Sequence, residues 1–322
     1  MLKTALCDVL GIDVPIILGP MAVFTSPAAM AAAVSNSGGL GSIGTLFRTT
    51  DAIKRDIDEA RELTNRNYAV NHIPQTLDAE AFRHTLAARP AVISFALGDP
   101  GDLVRQAHDA GSKVMMQVTT VAQAIEAAER GVDVVIAQGG ESGGYGGSVS
   151  TMALVPQVVD AVSPIPVVAA GGIFDGRGIA AALMLGAVGV NLGTRFLASK
   201  EATIEEEWKQ AIVAANSEDA VKIDFLNDIR PLPGTGGYGT VLRSLRTPFV
   251  DRWHSNRAEI AQVRESLSAE ITASARAGRL HDTYLPSGQT AGGIKEIMAI
   301  PDIMRRLVVE TEAAFARAPL TS

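Results

Sequence analysis

The chain alternates between two textures. Short apolar runs rich in valine and isoleucine recur, and an alanine-rich amphipathic stretch follows each of them. The runs lie at residues 15–18, 39–43, 68–71, 92–95, 114–118, 134–137, 167–170 and 188–192. Their first residues are 24, 29, 24, 22, 20, 33 and 21 positions apart, which accommodates one strand, one helix and two short loops per unit. The runs are apolar throughout rather than alternating, the pattern of parallel strands covered on both faces. Eight such units predict a closed (β/α)8 barrel over an open doubly wound sheet, because no G-x-G-x-x-G follows the first run.

Between the runs, Ser26-Pro27 offers a helix cap and a first-turn proline, and Ser37-Gly38-Gly39 stops that helix. After the eighth run the texture changes. Residues 201–220 and 251–279 read as long polar helices joined by a Gly/Pro-rich connector at 231–239, with no strand pattern. Residues 302–317 form a closing helix begun by Pro301-Asp302. The predicted organisation is a barrel from 1–200 and 286–322, with 201–285 a helical insertion that covers its mouth.

Composition narrows the chemistry. The 322 residues suffice for one barrel plus an insertion. Net charge is −7 with no Lys/Arg cluster, which argues against a nucleic-acid or anionic-membrane surface. Cys7 is the single cysteine, so neither a disulfide framework nor a multi-thiolate metal site is available. No H-E-x-x-H or C-x-x-C occurs, and no metal site is predicted. Asp8 and Asp13 interrupt any signal-peptide core, and the longest apolar stretch, 179–190, is far short of the roughly 20 residues that span a bilayer. A cytoplasmic globular protein is expected.

Barrel active sites lie at the C-terminal ends of the strands. The residues there are Gly19-Pro20-Met21, Gly41 to Gly44, Asn71-His72, Gln117, Gln138 to Glu141, Gly171-Gly172-Ile173 and Gly193-Thr194. Small and amide-bearing residues dominate, which suits a large, mostly neutral, planar ligand. Gly171-Gly172 and Gly193-Thr194 follow the seventh and eighth runs, where barrels bind phosphate through backbone N–H groups, a reading preferred here over mere tight turns. Residues 138–147 hold six glycines, read as close ligand approach or a mobile lid against the plainer reading of a flexible surface loop. Glu141 and Tyr145 are that loop's reactive side chains. Among the histidines, His84 and His108 fall on predicted helices and His254 and His281 in or beside the insertion. His72, after the third run, is the candidate for ligand contact. No G-x-S-x-G elbow suggests a hydrolase.

Read in order, Gly19-Pro20-Met21, Ser37-Gly38-Gly39-Leu40-Gly41, Gln138-Gly-Gly-Glu-Ser-Gly-Gly144, Ala170-Gly-Gly-Ile173, Gly193-Thr-Arg-Phe196 and Gly288-Gln-Thr-Ala-Gly292 resemble the nitronate monooxygenase family, formerly the 2-nitropropane dioxygenases. The resemblance spans nearly the whole chain. It implies a (β/α)8 barrel with non-covalent FMN, the phosphate on Gly171, Gly172, Gly193 and Thr194. The isoalloxazine would lie near Pro20 and Met21, with Asn71, Gln117 and Gln138 on the ring or ribityl chain. Gly139, Gly143 and Gly144 would approach it from the glycine loop, and Gln289 and Gly292 would return to it after the insertion.

The chain departs from the family at one place. Members that abstract a proton from a nitroalkane carry Glu-Ala-Gly-Gly-His, and here the segment is Glu141-Ser142-Gly143-Gly144-Tyr145. A histidine titrates near pH 6.5 and accepts a proton at neutrality, whereas a tyrosine near 10 is protonated and only donates. The leading expectation is therefore oxidation of an alkyl nitronate with O2, a substrate that is already anionic and needs no base. His72 and Glu141 are the candidates for any base role. The alternative is an NAD(P)H-dependent flavin reductase of an enone, enoyl-thioester or quinone, with Tyr145 donating to the substrate carbonyl. A second alternative is a phosphate-binding barrel without flavin. A small-molecule substrate is expected in each case, and the oligomeric state, a homo-oligomer included, stays open.

Overall fold

The computed structural model describes residues 2–21, 27–231 and 239–317. The eight apolar runs become β1 (Ile16–Leu18), β2 (Gly41–Gly44), β3 (Tyr68–His72), β4 (Val92–Phe95), β5 (Lys113–Val118), β6 (Val134–Gln138), β8 (Val167–Ala170) and β9 (Gly189–Leu192); β7 (Gly144–Gly146) lies between β6 and β8 and joins a different sheet. Parallel pairing runs β1-β9-β8-β6-β5-β4-β3-β2. The seam is closed by Leu18 N–H donating to Leu40 O (2.9 Å) and Leu40 N–H to Ile16 O (3.0 Å). The result is a (β/α)8 barrel.

Around it lie α1 (Ala5–Leu10), α2 (Ala28–Asn36), α3 (Thr50–Leu63), α4 (Ala79–Ala88), α5 (Leu103–Asp109), α6 (Val121–Glu129), α7 (Thr151–Val162), α8 (Gly176–Met184) and α9 (Thr194–Leu197). Pro27 is the residue before α2 rather than its first, and Ser26 lies outside the described residues. Strand side chains alternate between two cores. Ile17, Ala69, Val92, Met115, Ile136 and Val168 fill the barrel interior, and Ile16, Val70, Ile93, Val135 and Val190 pack outward against the helices. From α1, Leu6, Cys7 and Leu10 plug the interior, so Cys7 is a small buried apolar side chain. The same alternation puts Ser42, Asn71, Ser94, Gln117, Gln138 and Asn191 at inward positions of the C-terminal end.

The segment after β9 carries α10 (Glu206–Ala214), α11 (Phe225–Ile229), α12 (Pro248–Ser255) and α13 (Ile260–Arg276) before the closing α14 (Ile300–Arg317). Glu201 rather than Pro301-Asp302 satisfies the first N–H of α14, at 3.0 Å from both carboxylate oxygens. The sequence predicts only helices here, but the segment also forms an antiparallel sheet of β10 (Ala220–Lys222), β11 (Val241–Leu245) and β12 (Leu285–Pro286). These strands have two to five residues and owe their existence to each other, not to an apolar run. Within the connector at 231–239, residues 232–238 lie outside the described residues. Strand β7 pairs with β11 in the register Val241↔Gly146, Leu242↔Tyr145 and Arg243↔Gly144. A cap core of Ile223, Phe225, Leu242, Trp253, Leu267 and Ile271 sits behind this sheet. Among the described residues no helix is long and apolar enough to cross a membrane.

Candidate active site

The mouth is built from strand ends. Gly19 N–H donates to Leu192 O (2.8 Å), which sets half-buried Pro20 and Met21 at the β1–β9 seam. Asn71 Nδ2 donates to Ser94 Oγ (3.1 Å) and Ser94 O (3.3 Å). Gln117 is half-buried at its inward position on β5. Ser42 Oγ, Gln138 Oε1 and Asn191 Oδ1 are buried with no hydrogen-bond partner among the described residues. A buried polar atom left without a partner costs about 1–3 kcal/mol. Three around one ring mark a place built for a polar ligand. Ser42 and Asn191 each stand two residues on from an inward position of an apolar run, a parity that only the fold reveals.

After β8 and β9 the backbone opens toward this ring. Gly171 and Gly172 are left-handed, with φ of +92° and +72°, which turns the loop where side-chain-bearing residues would be strained. Among the described residues, a Cβ on Gly193 would meet only Met21 Sδ, at 3.6 Å. Thr194 Oγ1 accepts from Gly288 N–H (2.9 Å), which leaves its own O–H to donate. These four residues fit a phosphate, and the unpaired acceptors at Gln138 and Asn191 fit a ring that offers N–H. A flavin mononucleotide has both ends.

The glycine loop has a different basis from the one its sequence suggests. A side chain on Gly139 would strike Thr151, and one on Gly143 would come within 2.6 Å of Gly288 N. Gly144 belongs to β7, facing Arg243. The protein's own chain leaves no room for a side chain at Gly139 or Gly143, whereas one on Gly144 would meet nothing among the described residues. Gln289 N–H donates to Glu141 O (3.0 Å), which docks the returning segment on the same loop. A side chain on Gly292 would strike Ser217.

Of the two candidate bases, His72 faces away from the mouth and Glu141 is engaged by α7. Asn71 points inward, so His72 points outward, where it is 2% exposed and stacks edge-on against Phe82 of α4 at 5.2 Å. Thr85 Oγ1 donates to Ala81 O (3.0 Å) and lies 3.0 Å from His72 Nε2, so it accepts from Nε2–H. Burial pushes the imidazole down to about 4, and it is neutral. Glu141 accepts from Thr151 N–H (2.9 and 3.1 Å) and Thr151 Oγ1–H (2.9 Å), capping α7 with its carboxylate. Each of the two thus makes contacts within the fold, His72 with Phe82 and Thr85 and Glu141 with Thr151.

Tyr145 is different. Its ring packs with Leu46, Ile73, Ala96 and Leu97, which follow the ends of β2, β3 and β4, and also against the cap core. Burial raises its phenol above the ordinary value, with Tyr284 adding to the shift. It is a neutral donor. Lys222 Nζ donates to Gly146 O (3.0 Å) and Val241 O (2.9 Å), tying β7 to β11; burial, then Arg243, lowers its ammonium to about 8.

A closed barrel with a backbone cradle after its last two strands and unpaired amides in its mouth defines a barrel flavoenzyme. The chain belongs to the nitronate monooxygenase family, whose sequence profile matches residues 3–310, and it is a flavin-dependent oxidoreductase. A probable nitronate monooxygenase of Staphylococcus aureus is 31% identical over 338 aligned positions, covering 89% of this chain and 92% of the relative. The (3aS,4S,5R,7aS)-5-hydroxy-7a-methyl-1-oxo-octahydro-1H-indene-4-carboxyl-CoA dehydrogenase of Mycobacterium tuberculosis is 37% identical over 258 positions, covering 79% of this chain and 69% of the relative. The solved structure of FabK from Thermotoga maritima superimposes with a TM-score of 0.88 at 34% identity, covering 98% of each chain.

Proposed function

We propose that this chain is an FMN-dependent reductase of a carbon–carbon double bond conjugated to a carbonyl, as in an enone, enoyl-thioester or quinone. NAD(P)H is the proposed electron donor. One observation carries the reading: the mouth holds a neutral, desolvated phenol, while among the described residues His72 is stacked on Phe82 and Glu141 is hydrogen-bonded to Thr151. Bound FMN would supply hydride chemistry and reactivity with O2. Gly171, Gly172, Gly193 and Thr194 hold its phosphate, and Gln138 and Asn191 accept from its ring or ribityl chain. Pro20, Met21, Asn71, Gln117 and Gln289 would contact the flavin in this reading. Tyr145 donates a hydrogen bond to the substrate's carbonyl oxygen, favouring negative charge that develops there. Residues 201–285 cover the substrate, and the β7–β11 ladder keeps Tyr145 between cap and mouth. The carboxyl-CoA name of the mycobacterial relative is in keeping with a thioester substrate.

A second reading is oxidation of an alkyl nitronate with O2. The family match and the staphylococcal relative favour it, and a preformed nitronate needs no proton removed. Anaerobic mixing of the flavin-loaded protein with NADPH and NADH separates the two. Rapid flavin bleaching, followed by reoxidation on adding an enone or enoyl-thioester, supports the reductase. Oxygen uptake with a nitronate, without bleaching by either nucleotide, supports the monooxygenase. A purified protein without flavin absorption, even after FMN is added, sinks both.

A further inference from the structure

Three residues other than glycine adopt the left-handed backbone region among the described residues: Phe47 (φ 61°), Arg89 (φ 50°) and Leu97 (φ 58°). Side chains beyond glycine adopt that region at a cost. Arg89 has an ordinary reason, since it ends α4 with its N–H on Thr85 O and Leu86 O. The other two have none of that kind. Both lie in loops that leave the barrel mouth, Phe47 after β2 and Leu97 after β4.

The turn at Phe47 is built firmly. Arg48 N–H donates to Thr45 O (3.1 Å), so Phe47 is the third residue of a closed four-residue turn. Arg48 Nη2 bonds Asp56 Oδ2 at 2.6 Å, both side chains largely buried, and Nη1 reaches Gly44 O at 3.3 Å. Turn chemistry at that third position asks for glycine or asparagine. A phenylalanine stands there instead, and it is 60% exposed, so packing within the free protein does not repay it. Its neighbour Leu46 joins Ile73, Ala96 and Leu97 in an apolar cluster that also contains Tyr145.

We infer that Phe47 is a specificity-determining residue, held in a strained turn so that with Leu46 it forms one apolar wall of the substrate site beside Tyr145. The ligand class is a substrate whose reacting carbon carries a hydrocarbon chain or ring, laid against Leu46 with Phe47 closing over its outer end. The inference deepens the proposed reductase, resting on it for Tyr145 at the substrate oxygen. It adds that affinity grows with hydrocarbon length on the β2–β4 side.

The test is binding without turnover, so its outcome is separate from the reaction. Saturated N-acetylcysteamine thioesters of four, six, eight and ten carbons are titrated into the flavin-loaded protein, followed by flavin fluorescence and calorimetry. The wild type is expected to bind tighter by about two- to fourfold per added methylene until the chain passes the rim. Phe47→Gly should keep the affinity for the shortest probe and lose at least fivefold for the longest. It should also melt higher than wild type in the absence of probe, because glycine relieves the left-handed turn. Phe47→Asn, which tolerates the same backbone, should reproduce the binding loss. A wild-type series flat in chain length, or a series unchanged in both variants, overturns the inference. Tighter binding of all lengths in Phe47→Gly also overturns it, since Phe47 would then be blocking the site. Failure of the reductase reading shows separately, as no reduction of the unsaturated thioesters by a wild type that binds their saturated forms.

Discussion

Glu141 and Thr151 are joined through the carboxylate of one and both the N–H and O–H of the other, at 2.9 to 3.1 Å. A side chain that reads as a catalytic carboxylate is thereby a helix cap. Glu141→Ala should destabilise the fold by roughly 1–3 kcal/mol, the range for stranding a buried donor. Glu141→Gln should keep turnover within about threefold of wild type while lowering the melting temperature. A hundredfold loss of kcat at unchanged melting temperature would return Glu141 to the mechanism.

His72 makes a pH prediction. Burial holds its imidazole near 4, below the 6.5 of an exposed histidine, so the unfolded chain binds the proton first. The stability linked to this residue is full above about pH 6.5 and is lost as pH falls toward 4, amounting to roughly 3 kcal/mol. Urea titrations between pH 7 and 4 should show this slope, and His72→Gln should flatten it without moving the pH profile of kcat. An unchanged slope in His72→Gln would assign the acid sensitivity to other groups.

For Tyr145, replacing the phenol by phenyl removes the donor and little else. Tyr145→Phe should retain flavin and slow turnover at least tenfold, with a loss in kcat larger than any change in KM. Equal kcat in the two proteins would take Tyr145 out of the chemistry. Tyr145→His restores the residue type that family members use as a base, and nitroalkane-dependent oxygen uptake is the assay for it.

Gly193 discriminates cofactor from fold. Because among the described residues its missing side chain faces only Met21 Sδ at 3.6 Å, Gly193→Val should leave the melting temperature of flavin-free protein within about 2 °C of wild type. The same change should abolish flavin retention on gel filtration. Gly172→Val, at a φ of +72°, should instead lower stability as well. A Gly193→Val protein that stays yellow would move the phosphate elsewhere.

The barrel was legible because parallel strands covered on both faces leave unbroken apolar runs, and all eight lie within two residues of their sequence positions. That same uniformity concealed which way each side chain points. Tyr68 to Val70 are all apolar, so nothing in the run told that Asn71 enters the mouth and His72 leaves it. Asn191 was hidden inside a run for the same reason. Glu141 caps a helix that begins ten residues later, too far for any local capping pattern. Strand β7 is Gly-Tyr-Gly, with no strand propensity of its own beyond the tyrosine; its partner β11 lies about a hundred residues on.

The β7–β11 pairing couples inheritance of the chemistry to inheritance of the cap. Tyr145 is encoded in a barrel loop but is set in register by Leu242, from the segment that follows the barrel. The cap therefore is not an exchangeable cassette. A chimera that takes residues 201–285 from a relative would receive a new ruler for the tyrosine together with its new pocket. Divergence of substrate in such a fold then proceeds by paired changes on both sides of one short ladder.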